Sequence, residues 1–427
     1  MQRRELLMRS AALAGWSLLP LGAAAAASDG RPRKLVVVML RGAVDGLSVV
    51  VPYADRQYAE ARPTLALPAP GAEDGVLALD AHFGLHPALS RLKPYWDQGA
   101  LGFVHASGSP DSTRSHFDAQ EYMETGTPGR KATPDGWMNR LLAALPGPSA
   151  PTRAVSMGTV PARIFSGPGS VASLGTGPRA LQERAIDDAR MQAALSRLYA
   201  NDPVLGKVYR DATGSRSEMK RSLAQGEADS SAAMGPPMAG ERSMDPNADN
   251  GAPPPRSFAA DAFRLGRLIR NDAHTQLAFT SVGGWDTHAA QGASRGQLAT
   301  KLGQLGDGLD ALARGLGDAL QHTVIVVMSE FGRTVAQNGT GGTDHGRGNV
   351  MWLLGGAVSG GQVLGDWPGL DRAALADGRD LAVTTDFRHV LGAVLERHLA
   401  VGDDALSRVF PGFDGPWAPA SRLLRST

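Results

Sequence analysis

Five short apolar runs constrain this chain more than any other feature. They are LVVVML at 35–40, LGFVHA at 101–106, LAFTSV at 277–282, TVIVVM at 323–328 and VMWLL at 350–354. The runs are continuous rather than alternating, so each reads as a strand with apolar side chains on both faces. Such strands belong inside a sheet that helices cover on both sides, which is the mostly parallel α/β arrangement. Between the third and fourth runs, leucines stand at 298, 302, 305, 309, 312, 316 and 320. Steps of three and four predict an amphipathic helix over 296–320. A second helix is expected from His116 through Glu121. A third runs from about Thr384 to His398, with Thr384 or Thr385 and Asp386 at its N-cap. The fold class is α/β, a mostly parallel sheet between helices.

At 427 residues the chain can build a large core without a disulfide or metal staple. Its 43 basic and 42 acidic residues argue against a nucleic-acid partner. Cysteine is absent, which excludes thiol nucleophiles, Cys-ligated zinc and Fe–S clusters. No Walker lysine motif, dinucleotide glycine fingerprint or Gly-x-Ser-x-Gly elbow occurs.

Residues 1–27 read as an export signal rather than as part of the fold. Arg3-Arg4-Glu5-Leu6-Leu7 precedes an apolar, alanine-rich run, which is a twin-arginine pattern with cleavage expected near residues 25–28. That implies the twin-arginine export machinery as a partner and a periplasmic or secreted location. Without residues 1–27, which carry three arginines and one glutamate, the formal charge is −1. No stable membrane span is expected in the mature protein. Residues 34–415 are expected to form one domain. Within it, about 217–257 is rich in Met, Pro, Gly, Ser and Asp and reads as a disordered insert without a core of its own.

In open α/β sheets, ligands gather beyond the carboxyl ends of the strands. Arg41-Gly42-Ala43-Val44-Asp45 follows the first run, and a loop ending in Ser115-His116 follows the second. Gly283-Gly284-Trp285-Asp286-Thr287-His288 follows the third, Ser329-Glu330-Phe331-Gly332-Arg333 follows the fourth, and Asp344-His345-Gly346 precedes the fifth. Carboxylates and imidazoles in this pattern suit a divalent ion: Zn or Mn first, Mg or Ca for an oxygen-rich site. The alternative is that these groups only form turns and N-caps. Arg41, Arg114 and Arg333 lie in the same loops and offer paired N–H donors to a phosphate or sulfate, or else form ordinary salt bridges.

The motifs LVVVMLRGAVDGLSVVVPY (35–53), RSHFDAQEYMETG (114–126), GGWDTH (283–288), SEFGRT (329–334), GGTDHGRGN (341–349) and TTDFRHVL (384–391) occur in this order. Over about 34–415 the chain resembles an exported bacterial family, the domain of unknown function numbered 1501. That family is similar, more remotely, to the alkaline phosphatase and sulfatase superfamily. The resemblance implies an alkaline-phosphatase-like sheet, one or two divalent ions at the strand ends, and a nucleophile at a helix N-terminus. It implies metal ligands at Asp45, Asp286, His288, Glu330 and His345, with Phe331 where the superfamily has a histidine. These five residues are expected to converge in one cleft. Ser112, Thr113 and Ser115 are the candidate nucleophiles. Ser115 beside His116 is preferred because the start of a helix favours an anion, and N-capping by Ser115 is the structural alternative.

Two functions follow from this reading. One is an exported metal-dependent hydrolase of phosphate or sulfate esters, acting on a small anionic substrate or a polymer ester. The other is a non-catalytic binding or assembly protein on the same fold, which Phe331 favours. The signal makes a direct prediction: changing Arg3 and Arg4 together to Lys traps the precursor in the cytoplasm in a fractionation assay. Unchanged export would leave only a general secretory route.

Overall fold

The computed structural model describes residues 32–425 except 178–179, 181, 184, 225–244, 246, 414 and 416–419. The signal expected at residues 1–27 lies outside them. Among the described residues, nine strands form the main sheet. They are β1 (Lys34–Leu40), β2 (Leu101–Gly108), β3 (Ala154–Met157), β4 (Ala172–Leu174), β5 (Leu277–Val282), β6 (Thr323–Ser329), β7 (Asn349–Leu354), β8 (Val363–Leu364) and β9 (Thr385–Asp386). Their order is β8-β2-β7-β6-β1-β5-β3-β4, with β9 also paired to β2. All five apolar runs are strands of this sheet.

β1 lies between β5 and β6 and is parallel to both, with Leu35 in register with Leu277 and Val324. β7 is the exception, antiparallel to both β2 and β6. Its amino end, at Asn349, therefore sits at the same edge as the carboxyl ends of β1, β5 and β6. This reversal brings the loop before β7 to the edge where the other loops gather.

Helices cover both faces of the sheet. They are α1 (His116–Thr125), α2 (Trp137–Ala144), α3 (Pro203–Ala224), α4 (Phe258–Asn271), α5 (Gln297–Leu316), α6 (Phe387–Leu399) and α7 (Asp403–Val409). Because side chains alternate along a strand, Val36, Val38 and Leu40 of β1 pack with α4 and α5. Leu35, Val37 and Met39 pack with α2, α6 and α7 on the other face. The leucine spacing read from the sequence places 298, 302, 305, 309, 312 and 316 in the core. Leu320 falls in a 3-10 turn, Gly317–His322. Asp386 caps α6 by accepting from the Arg388 N–H at 2.9 Å.

The stretch at 217–257 departs from the coreless insert that its composition predicts. α3 continues to Ala224 and buries Met219 and Leu223 in the same core as α4 and α5. At the other end Ala248 and Pro255 are buried. Average composition hides this because apolar residues four apart on a helix bury one face however polar the rest is. The remainder, 225–244 and 246, lies outside the described residues.

Three buried histidines give the fold an acid limit. His105 faces the Val50 carbonyl through Nε2 at 2.9 Å, and its Nδ1 accepts from the Ala106 N–H at 2.9 Å. His86 is held the same way between the Ala293 carbonyl and the Ala88 N–H, both at 3.1 Å. His398 faces the Lys34 carbonyl at 2.9 Å. Burial pushes all three pKa values down to about 4. The unfolded chain takes up these protons near about pH 6.5, so the stability is full above that pH and is lost as pH falls toward 4. Urea unfolding should lose up to about 1.4 kcal/mol per pH unit for each histidine across this window. Equal stability at neutral pH and at the acid end of the window would contradict the neutral buried state.

Candidate metal centre

Four side chains meet at the carboxyl edge of the sheet. His116 opens α1, Asp286 and His288 follow β5, and His345 lies in the loop before β7. Nε2 of His345 is 3.0 Å from His116 Nε2, 3.0 Å from His288 Nε2 and 3.2 Å from Asp286 Oδ1. Asp286 Oδ1 is 3.0 Å from His288 Nε2 and 3.6 Å from His116 Nε2. Around a tetrahedral ion with bonds of about 2.0–2.1 Å, ligand atoms lie roughly 3.3–3.4 Å apart. The spacing among His116, Asp286 and His345, 3.0–3.6 Å, brackets that value, and these three form the group placed to share one ion, with His288 beside it.

The opposite ring nitrogens are each held by an acceptor. His116 Nδ1 faces Glu330 Oε1 at 2.8 Å, His345 Nδ1 faces the Arg114 carbonyl at 2.9 Å, and His288 Nδ1 faces Asp344 Oδ1 at 3.2 Å. A carboxylate or carbonyl can only accept, so each Nδ1 carries the proton. The Nε2 atoms then turn inward, where each donates if its ring is charged and offers a lone pair if the ring is neutral. The hydrogen-bond neighbours of those three atoms, among the described residues, are one another and Asp286. Nitrogens and a carboxylate oxygen at this spacing need a proton or another cation between them, and His116, Asp286 and His345 form a group that could hold a metal ion. Holding a ring by its far nitrogen is also how metal-ligating histidines are oriented.

The electrostatics agree. Burial opposes a charge on His116, but its hydrogen bonds to Asp286 and Glu330 outweigh burial and push its pKa up to about 9. Burial also opposes ionisation of Asp286, yet His116, His345 and Arg333 hold its carboxyl well below the usual range. The site therefore attracts positive charge. Phe331 packs against the rings of His116 and His345, with centroids 4.9 and 5.1 Å away. It fixes two imidazoles by contact.

The loops come this close for identifiable reasons. Gly42 (φ +106°) sits where a Cβ would meet the Asp286 nitrogen at 2.8 Å. Ala43 is also left-handed, at φ 60°. The carbonyls of these two residues accept from Arg333, at Nη2 2.6 Å and Nε 2.7 Å. Arg333 also reaches Asp286 Oδ1, so one guanidinium ties the loops after β1, β5 and β6 together.

The structure sorts the expected site residues into three groups. Asp286, His288 and His345 converge. Glu330 lies one step behind, where its buried carboxylate accepts from the Gly42 N–H at 2.7 Å, Gln120 Nε2 at 3.0 Å and His116. Asp45 does not converge, which corrects its expected role. Both its oxygens are taken by Arg62, at 2.6 and 3.0 Å, with Ser48 Oγ at 2.7 Å and Gln291 Nε2 at 2.8 Å. Burial opposes its ionisation, but Arg62 keeps its pKa low.

The expected pairing of Ser115 with His116 is also corrected. Both nitrogens of His116 are engaged elsewhere, and Ser115 Oγ accepts from the Asp118 N–H at 3.4 Å as the N-cap of α1. None of the three expected anion-binding arginines presents a free guanidinium. Arg41 is buried against Gln120 and Glu124, Arg333 ties the loops, and Arg114 pairs with Asp377 and Asp380.

Sequence reasoning passed over Gln120, although it lies one helical turn from His116 on α1. His116, Gln120 and Glu124 form a buried polar stripe along that helix, a pattern legible in the letters. Arg62, by contrast, carries no sequence signal that ties it to Asp45.

The chain belongs to the family described as "Protein of unknown function (DUF1501)", whose profile matches residues 32–410. No curated protein matches it. Among solved structures it is similar to the C-terminal periplasmic domain of EcEptC from Escherichia coli in complex with Zn. That match has 10% identity over 76% of this chain and 73% of the other, with TM-score 0.34. It is also similar to alkaline phosphatase from the Antarctic bacterium TAB5, at 12% identity over 79% of this chain and 95% of the other, with TM-score 0.34.

Two substitutions separate ligands from supports. Asp45→Asn leaves Arg62 buried without its counter-charge, and should cost about 3–5 kcal/mol in urea unfolding while metal content stays unchanged. Loss of metal at full stability would instead restore Asp45 as a ligand. Gln120→Leu should weaken metal affinity by about 10–100-fold in a chelator competition.

Proposed function

We propose that the protein is an exported metalloprotein that holds one divalent ion through His116, Asp286 and His345, with His288 beside them, and hydrolyses a phosphate or sulfate ester. The observation that carries this reading is the convergence of His116, Asp286 and His345, whose ligand atoms lie within 4.8 Å of one another while the Nδ1 of each ring faces an acceptor. Two imidazoles and one carboxylate suit Zn or Mn and depart from the oxygen cages of Mg and Ca. A divalent ion bound there supplies Lewis-acid polarisation of an ester oxygen and acidifies water.

The chain's own residues do the rest. His116 and Asp286 are buried, whereas the side chains of His288 and His345 are 30% and 24% exposed. Substrate reaches the centre from the His288–His345 side. Glu330 and Asp344 keep the protons of His116 and His288 on Nδ1. Ser115 has no base, so water is the nucleophile in this reading. Export by the twin-arginine route places the work in the periplasm or outside the cell. Among the described residues no helix is long and apolar enough to cross a membrane.

A second reading, a non-catalytic binding or assembly protein, is favoured by one feature: Ser115, the expected nucleophile, serves as the N-cap of α1 and has no base beside it. Metal analysis after loading with Zn or Mn should find a single ion per chain, lost in His345→Ala. Turnover of p-nitrophenyl phosphate or sulfate by the loaded protein, absent in that variant, selects hydrolysis. A held ion with neither ester turned over selects the binding reading, and no ion at all rejects the hydrolase.

A further inference from the structure

Arginines 41, 114, 333, 347 and 379 lie in or beside the loops around this centre. Four are committed to carboxylates: Arg41 to Glu124, Arg114 to Asp377 and Asp380, Arg333 to Asp286, and Arg379 to Asp380. Arg347 pairs with no carboxylate among the described residues. Its Nε is buried and has no hydrogen-bond partner. Its Nη2 makes only a long contact, 3.4 Å, to the Pro110 carbonyl. A guanidinium that is partly withdrawn from water and lacks a counter-charge is costly to keep unless a ligand completes it.

Its position points to which ligand. Arg347 stands two residues beyond His345, and the backbone between them is fixed by hydrogen bonds from Gly346 N to Gly332 O (2.8 Å) and from Gly332 N to Arg347 O (2.9 Å). Both side chains reach the same segment, His345 at the Arg114 carbonyl and Arg347 at the Pro110 carbonyl. That segment carries Ser112 and Thr113 between the two contacts. A positive, donor-rich group therefore lies two residues from His345 and against the segment that leads into His116, where the other arginines of these loops are already occupied.

We propose that Arg347 recognises the anionic group of the substrate, taking two oxygens of a phosphate or sulfate through paired N–H donors; this rests on the ester-hydrolase reading above. A planar fork that bonds two oxygens is what distinguishes arginine from lysine in such a role. Arg347 is thus a binding and specificity residue, and none of the metal ligands depends on it.

The test is calorimetric titration of inorganic phosphate and sulfate into the Zn- or Mn-loaded protein, with Arg347→Ala and Arg347→Lys alongside. Arg347→Ala should weaken anion binding by roughly tenfold or more, and Arg347→Lys should recover part of it, with bound metal and melting temperature unchanged. Equal anion affinity in Arg347→Ala and the parent would overturn the assignment while the ester reading stands. A metal-loaded parent that binds neither anion would overturn the ester reading, and the assignment with it. Loss of metal or of the fold in both variants would make Arg347 structural and also overturn it.

Discussion

Imidazole lone pairs do not pack 3.0 Å apart without something positive between them, and the rest of this site follows from that constraint. The three rings could relax by rotating or by exchanging the proton between nitrogens. They are prevented because Glu330, the Arg114 carbonyl and Asp344 each bind an Nδ1. Phe331 adds a steric wall against two of the rings. The geometry is thus held by contacts outside the convergent atoms.

Those contacts depend in turn on buried charge. Asp45–Arg62, Arg41–Glu124 and Arg333–Asp286 lie beneath or beside the centre with almost no exposure. Each is costly to break, since removing one partner strands the other in a low-dielectric interior. Together they anchor the loops after β1 and β6 and the inner face of α1. The arginines that look from the sequence like anion ligands are the fasteners of these loops, and this leaves Arg347 as the uncommitted one.

The reversed strand β7 decides which loops can meet. In an all-parallel sheet, a loop preceding a strand lies at the amino edge, away from ligands. Because β7 runs against β2 and β6, the stretch that precedes it, with His345 and Arg347, arrives at the carboxyl edge. His345 then meets His116, 229 residues earlier in the chain, and His288, 57 residues earlier.

The sequence by itself determined the layers. Continuous apolar runs and a leucine period of three and four are local properties of the chain, and local periodicity selects strand or helix and the face to be buried. It also placed Asp286, His288 and His345 at loop positions, because loops at strand ends are where polar residues next to apolar runs must go. Only the tertiary structure decided which polar groups meet. Asp45 and Asp286 both follow apolar strands after a glycine-containing turn, yet Asp45 finds Arg62 and Asp286 finds three histidines. His116 turns its Nε2 toward Asp286 and His345, not toward Ser115, while Glu330, from a strand end far along the chain, holds its Nδ1. A charged side chain in the interior takes whichever complementary partner the packing brings within reach. That choice depends on long-range geometry, to which the spacing of letters along the chain is blind.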